Sequence, residues 1–396
     1  MTKTNGADVK RSIGRRSLLK GALLAGAGMI AAPMINRGSY QLFAATTRRY
    51  SKRAVDLVRE SLVIDMLSLF DMGKIFTAME EGTDPLKFTK EELQVVKDSG
   101  IRVFHPAVGL GGPTVYEDAL EFMGAYNGLA AEHPDLVMRV DSMKDFDALE
   151  KNGKIGFILG LQNSDHFRTV ADVRRFYHLG QRVSQLTYNS QNLIAGGSTD
   201  RIDGGISDFG AEIVAAMNEV GMVVDVSHCG DRTTLDAFEI SKKPVLITHS
   251  NARALAPGHP RCKTDEAIRK MAAKGGVMGI TAVRNFVKNE EPTTIEDYVN
   301  HIDHVAKLVG IEHVGIGTDS DLKGYDALPP KIYAMLREGY KSSYAFRDKI
   351  DIEGMDHPQK MFDLTEALIR RGYSNDNIRA VLGGNFRRAL GEIWAS

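Results

Sequence analysis

Beyond residue 50, short aliphatic runs alternate with stretches in which apolar residues recur every three or four positions. The runs are Ser61–Leu67, Ile101–Ala107, Ile155–Gln162, Arg182–Tyr188, Gly221–His228, Pro244–His249, Gly275–Ala282 and His313–Asp319. Each is aliphatic or β-branched and lacks clean alternation, as expected of parallel strands buried on both faces. Helical periodicity marks Glu91–Ser99, Ser207–Val220, Thr233–Ile240, Asp265–Lys274 and Ile295–Leu308 between them. Eight strand–helix units over about 330 residues predict an α/β chain folded as a (β/α)8 TIM barrel with insertions. A doubly wound sheet would want a Gly-rich phosphate loop after its first strand, and Asp65-Met66-Leu67-Ser68-Leu69-Phe70 offers none. No repeat or low-complexity linker divides 50–396, which reads as one domain.

After the eighth run comes the long segment Ser320–His357, with Pro329-Pro330, Gly339-Tyr340 and several aromatics. In a barrel this loop lies over the mouth as a lid or wall. Asn375–Trp394, interrupted by Gly383-Gly384, reads as closing helices.

The chain has 50 Lys+Arg and 51 Asp+Glu, a net charge of −1. That balance conceals an asymmetry. Residues 1–45 carry Lys3, Lys10, Arg11, Arg15, Arg16, Lys20 and Arg37 against Asp8, which leaves the remainder at −7. A body of that sign repels phosphate, so no nucleic-acid partner is expected. Paired arginines in Gly-Arg-Arg-Ser-Leu-Leu-Lys at 14–20, followed by a short apolar run from Gly21 to Ile35, predict a twin-arginine export signal over 1–45. The expected location is the periplasm, with the export machinery as a partner; an uncleaved leader would act as an anchor.

Chemistry in this fold sits at the C-terminal ends of the strands. Those ends read Phe104-His105-Pro106, Gln162-Asn163-Ser164-Asp165-His166, Thr187-Tyr188-Asn189, Ser227-His228-Cys229, His249-Ser250-Asn251 and Thr318-Asp319-Ser320. His228, His249 and Asp319 therefore converge on one rim. Imidazole and carboxylate are the usual ligands of catalytic zinc. Structural hydrogen bonding by the same histidines stays open at this point.

The stretch Gln185–Gly279 carries QLTYNSQN, GISDFGAEIVAAMNEVGMVVDVSHCG, PVLITHSNARALAPGHPR and TDEAIRKMAAKGGVMGI, with HVGIGTDSD and GGNFRRAL downstream. These motifs resemble the membrane (renal) dipeptidase family. The resemblance implies a metallo-dependent hydrolase-like barrel with two bridged zinc ions, acting on dipeptides with a free C-terminal carboxylate. It places His228 and His249 as the two histidine ligands of one zinc, Asp319 as proton carrier and Arg261 as the holder of the substrate carboxylate. Tyr188 and Asn251 complete the expected substrate-binding set.

The family's His-x-Asp ligand pair falls on Leu67 and Leu69, and its bridging glutamate on Gln162. Leucine offers no lone pair and the amide is neutral, so two dications would lack compensating charge. The expectation is one zinc ion on His228, His249 and a third oxygen, from Gln162, Asp319 or water; a metal-free pocket is the rival. Three functions follow: a periplasmic dipeptidase-like hydrolase of dipeptides or small amides, a peptide-tailoring enzyme of the siderophore-maturation type, and a non-catalytic peptide binder. The partners are a small peptide and, as an open alternative, a second copy of the chain. Cys229 and Cys262 are read as unpaired more readily than as a disulfide. His105 and His166 are read as structural, and His301 and His304 as surface or helix–helix contacts.

Overall fold

A computed structural model describes residues 39–40 and 48–394. The residues of the expected export signal lie outside these, apart from Ser39 and Tyr40. The chain divides into two compact units, 1–53 and 54–396. In the first, Ser39–Tyr40 pairs antiparallel with Tyr50–Ser51. Among the described residues no helix is long and apolar enough to cross a membrane.

The second unit is a closed parallel barrel. Its strands are β1 (Ile64–Asp65), β2 (Val103–Phe104), β3 (Ile155–Phe157 and Leu159–Leu161), β4 (Gln181–Gln185), β5 (Val223–Asp225), β6 (Ile247–Ser250), β7 (Met278–Ile280) and β8 (Val314–Ile316). Each pairs with the next in parallel, β5 meeting β6 through an Asp225–Leu246 bridge, and Ile316 against Asp65 closes the ring. All eight expected strands form, but each is shorter than its apolar run, because at least one end of every run curves into a loop at a barrel rim. One further strand, Val137–Arg139, pairs with the outer edge of Ile155–Phe157 and was not legible as an apolar run.

The helices begin where the sequence supplies caps. Thr89 with Glu92, Ser142 with Asp145, Thr169 with Asp172 and Thr294 with Asp297 form reciprocal capping boxes. Asp208–Val220 ends at Gly221, whose φ of 81° gives the left-handed turn into β5. One core cluster joins strand residues such as Ile64, Val103, Val183 and Val223 to Phe386, Leu390 and Ile393 of the final helix, Asn385–Trp394. Gly317 is required by close approach: a Cβ there would collide with the Thr248 carbonyl.

The segment after β8 is more structured than a loop. Ser320–Asp321 pairs with Ser68–Leu69, which extends β8 and β1 past the barrel. Pro330–Glu338 is a helix, and Tyr325–Ala327 and Ser342–Tyr344 are single 3-10 turns. A second apolar cluster, including Leu69, Met72, Phe286, Tyr325, Ile332 and Tyr344, packs this segment over the mouth.

Candidate active site

The mouth is organised by two buried aspartates that act alike. Asp225, at the end of β5, accepts at Oδ1 from the Thr248 and Ser227 amides and at Oδ2 from the Thr248 hydroxyl (2.6 Å). Asp65, at the end of β1, accepts from the Thr318 amide (2.8 Å) and hydroxyl (2.6 Å). Each ties a strand end to the threonine that precedes a site residue, His249 in one case and Asp319 in the other. Burial pushes the Asp65 carboxyl up to about 6.

His228 and His249 face each other with Nε2 atoms 3.0 Å apart. Their tautomers follow from their acceptors. Thr248 Oγ1 gives its only proton to Asp225, so it accepts from His249 Nδ1–H at 2.7 Å. Asn189 Oδ1 accepts from His228 Nδ1–H at 2.6 Å and from the Tyr344 hydroxyl at 2.8 Å. Both rings therefore turn an unprotonated Nε2 toward the other. Burial, with the nearby Arg261 charge, holds both imidazoles well below their usual range, so both are neutral. Two opposed lone pairs repel unless a cation lies between them; this is the donor arrangement a single metal ion takes.

Asp319 stands beside them with φ +52° and its amide bonded to the Leu67 carbonyl. A non-glycine residue held left-handed stores strain of the kind found at functional sites. Burial raises its carboxyl to about 6, the neighbouring Asp65 adding and Arg261 subtracting. Tyr188 stacks on His228 with ring centroids 4.3 Å apart and meets the Tyr340 hydroxyl at 2.6 Å. Gln162 Nε2 donates to the Ala107 carbonyl at 2.9 Å, and its Oε1 is buried without a partner. Gln162, Tyr188 and Asp319, with Leu67 and Leu69, line one cavity of about 480 Å³ at the mouth.

Two further expected site residues are buried and bonded to backbone. Arg261 is wholly buried behind the histidines and donates to the carbonyls of Ser227 and His249, bracing the wall, while its Nε has no partner in the chain. Asn251 spends its amide on the Thr281 backbone (2.9 and 3.3 Å), which pins β6 to β7. His301 makes the helix–helix contact expected of it, to the helix Arg284–Val287, and not a surface one. It is fully buried, accepting from the Ala252 amide and donating to the Val287 carbonyl. His304 makes the expected contact between helices, to Asp265 at 2.8 Å. His105 and His166 bond backbone carbonyls, and Cys229 and Cys262 are free and buried. Asn189, Tyr344, Asp225 and Thr248 were assigned no role from sequence. The φ of +62° at Asn189, at the end of an apolar run, is the sort of position that a short polar side chain signals.

Residues 52–332 match the family model described as membrane dipeptidase (peptidase family M19). The chain belongs to the membrane dipeptidase family. An uncharacterized dipeptidase of Schizosaccharomyces pombe is 35% identical over 71% of this chain and 62% of its own length. The chain thus spans about three-fifths of that relative. Among solved structures, an amidohydrolase from Pseudomonas aeruginosa is 31% identical, with a TM-score of 0.75 over 87% of this chain and 99% of that one. The probable dipeptidase PvdM from the same organism is 20% identical, with a TM-score of 0.70 over 87% and 98%, and shares the fold. A metal cofactor, typically zinc, is what membership of the dipeptidase family suggests. Among the described residues no three His, Cys, Asp or Glu side chains converge as a metal-binding group. The donors that would hold an ion are the two Nε2 atoms of the histidine pair, 3.0 Å apart.

Proposed function

We propose that this protein is an exported dipeptidase-type hydrolase of small peptides or related amides, working with one zinc ion at His228 and His249. The observation that carries the reading is the pair of unprotonated Nε2 atoms 3.0 Å apart, each held in that tautomer from behind. Arg261, fully buried behind them, and Lys263, buried and bonded to the Cys229 carbonyl, already make this wall positive. That charge opposes a second dication.

When bound, the ion supplies Lewis acidity toward the substrate carbonyl and toward a water. The chain's own residues do the rest. Above about pH 6 Asp319 is a carboxylate; it takes a proton from the attacking water and returns it to the leaving amine. Tyr188 and Tyr340, hydroxyl to hydroxyl, close the side of the site nearest the segment after β8. Gln162 Oε1 offers an acceptor for a substrate N–H. The paired arginines Arg15 and Arg16 support export to the periplasm by the twin-arginine route.

The test is hydrolysis of L-alanyl-L-alanine by protein purified from the export compartment. Chelation should abolish turnover, one equivalent of zinc should restore it, and His249→Ala should be inactive with or without zinc. Full activity in zinc-free protein would remove the reading.

A further inference from the structure

Asp319 stands between two spaces that differ in size and in charge. On one side lies the cavity of about 480 Å³, within the range of roughly 300–1,000 Å³ typical of small-ligand sites. On the other, toward His228, is a second space of only about 30 Å³, with room for no more than a few atoms. Tyr188, Tyr325, Leu336 and Tyr340 line both, so the two are continuous past the Asp319 carboxyl.

The large cavity is walled mostly by aliphatic and aromatic side chains, among them Leu67 and Leu69 after β1, Leu86, and Phe122 on the helix Val115–Glu132. Its charged lining residues are all acidic: Asp319, and Asp118 with Glu121 one turn apart on that helix. No Lys, Arg or His is among the described residues that line it. The histidine side has the opposite sign, because Arg261 and Lys263 are buried behind it. A dipeptide carries an ammonium at one end and a carboxylate at the other. A carboxylate in the large cavity would meet three acids and no base, whereas an ammonium is favoured there. The charge therefore sets the direction of the substrate, and the two volumes set the size of its residues.

We infer that the large cavity is the subsite for the substrate's N-terminal residue and selects a large, uncharged, apolar side chain there, with a small residue on the C-terminal side. The inference rests on the hydrolase reading for the bond that is cut, and on the two spaces for which residue lies where.

The test compares L-Leu-L-Ala, L-Ala-L-Leu, L-Glu-L-Ala and L-Ala-L-Ala as substrates of the zinc-loaded protein. L-Leu-L-Ala should exceed L-Ala-L-Ala in kcat/KM by about tenfold or more, as extra methylenes in an apolar pocket do. L-Ala-L-Leu should gain nothing over L-Ala-L-Ala, and L-Glu-L-Ala should fall below it. Ala125→Phe, which narrows the cavity, should erase the gain of L-Leu-L-Ala. Glu121 is exposed, so Glu121→Lys leaves the packing alone and should raise L-Glu-L-Ala several-fold relative to L-Ala-L-Ala. Equal cleavage of L-Leu-L-Ala and L-Ala-L-Ala, a gain for L-Ala-L-Leu in its place, or a gain that survives Ala125→Phe overturns the subsite and leaves the hydrolase reading intact. If no peptide is cleaved, the hydrolase reading fails and thermal shift with the same peptides decides the subsite. Greater stabilisation by L-Leu-L-Ala than by L-Ala-L-Leu, lost in Ala125→Phe, sustains it; equal or absent stabilisation overturns it.

Discussion

At the scale of single residues, the site is a set of side chains whose protonation is fixed by neighbours. Asp319 is held near 6, so the reaction should slow as pH falls through about 6, where the carboxylate gains a proton and can no longer accept one from water. Asp319→Asn should lower kcat by about 10²–10⁴-fold and remove that limb of the pH–rate profile. Thr248 is equally specific in its bonding, passing a proton to Asp225 and receiving one from His249. Thr248→Val keeps the shape and loses both bonds. Competition with a chelator should show zinc affinity down by about 10–100-fold, and a denaturant melt should show stability down by about 1–3 kcal/mol. His228, His249 and Asp319 were legible in the sequence because each lies at, or within three residues of, the C-terminal end of a strand. The bonds of Arg261 and Asn251 were not legible, because they depend on which way a side chain turns after the chain leaves the sheet. A carbonyl within reach claims a buried guanidinium or amide, and chain spacing does not reveal that carbonyl.

At the scale of elements, helices and loops are fastened to the barrel by buried histidines in one tautomer. His301, on Ile295–Val309, accepts from the Ala252 amide and donates to the Val287 carbonyl; His259 accepts from the Arg261 amide and donates to the Tyr344 carbonyl. Each needs one bare nitrogen, and burial lowers both to about 4. In the unfolded chain a histidine titrates near 6.5, so between about 6.5 and 4 the unfolded state binds more protons. Stability present above pH 6.5 is therefore lost as pH falls toward 4, by roughly 3 kcal/mol at most per group. Urea melts across that window should show the decline, and it should be shallower in His301→Leu after its lower baseline is allowed for. The eight strands and the five helices read from periodicity all form, since both signals are local. Val137–Arg139 was invisible because an edge strand three residues long, with one residue buried, has no apolar run to display.

At the scale of the whole molecule, one barrel end gathers a histidine pair, a strained carboxylate and an apolar cavity beneath the segment after β8. A lid was expected there from its prolines and aromatics; its helix and its bonds to the mouth, such as Tyr340 to Tyr188, depend on partners distant in sequence. For export, replacing both Arg15 and Arg16 by lysine should retain the precursor in the cytoplasm, as cell fractionation would show. The central proposal concerns charge: with Arg261 and Lys263 buried behind the histidines, and Leu67 and Leu69 lining the mouth, the site is proposed to hold one divalent ion and not two. Elemental analysis of the exported protein, expressed as zinc atoms per chain, tests this most directly. The account predicts one in the native protein and none in a His228→Ala, His249→Ala double variant. Two per native chain would contradict it.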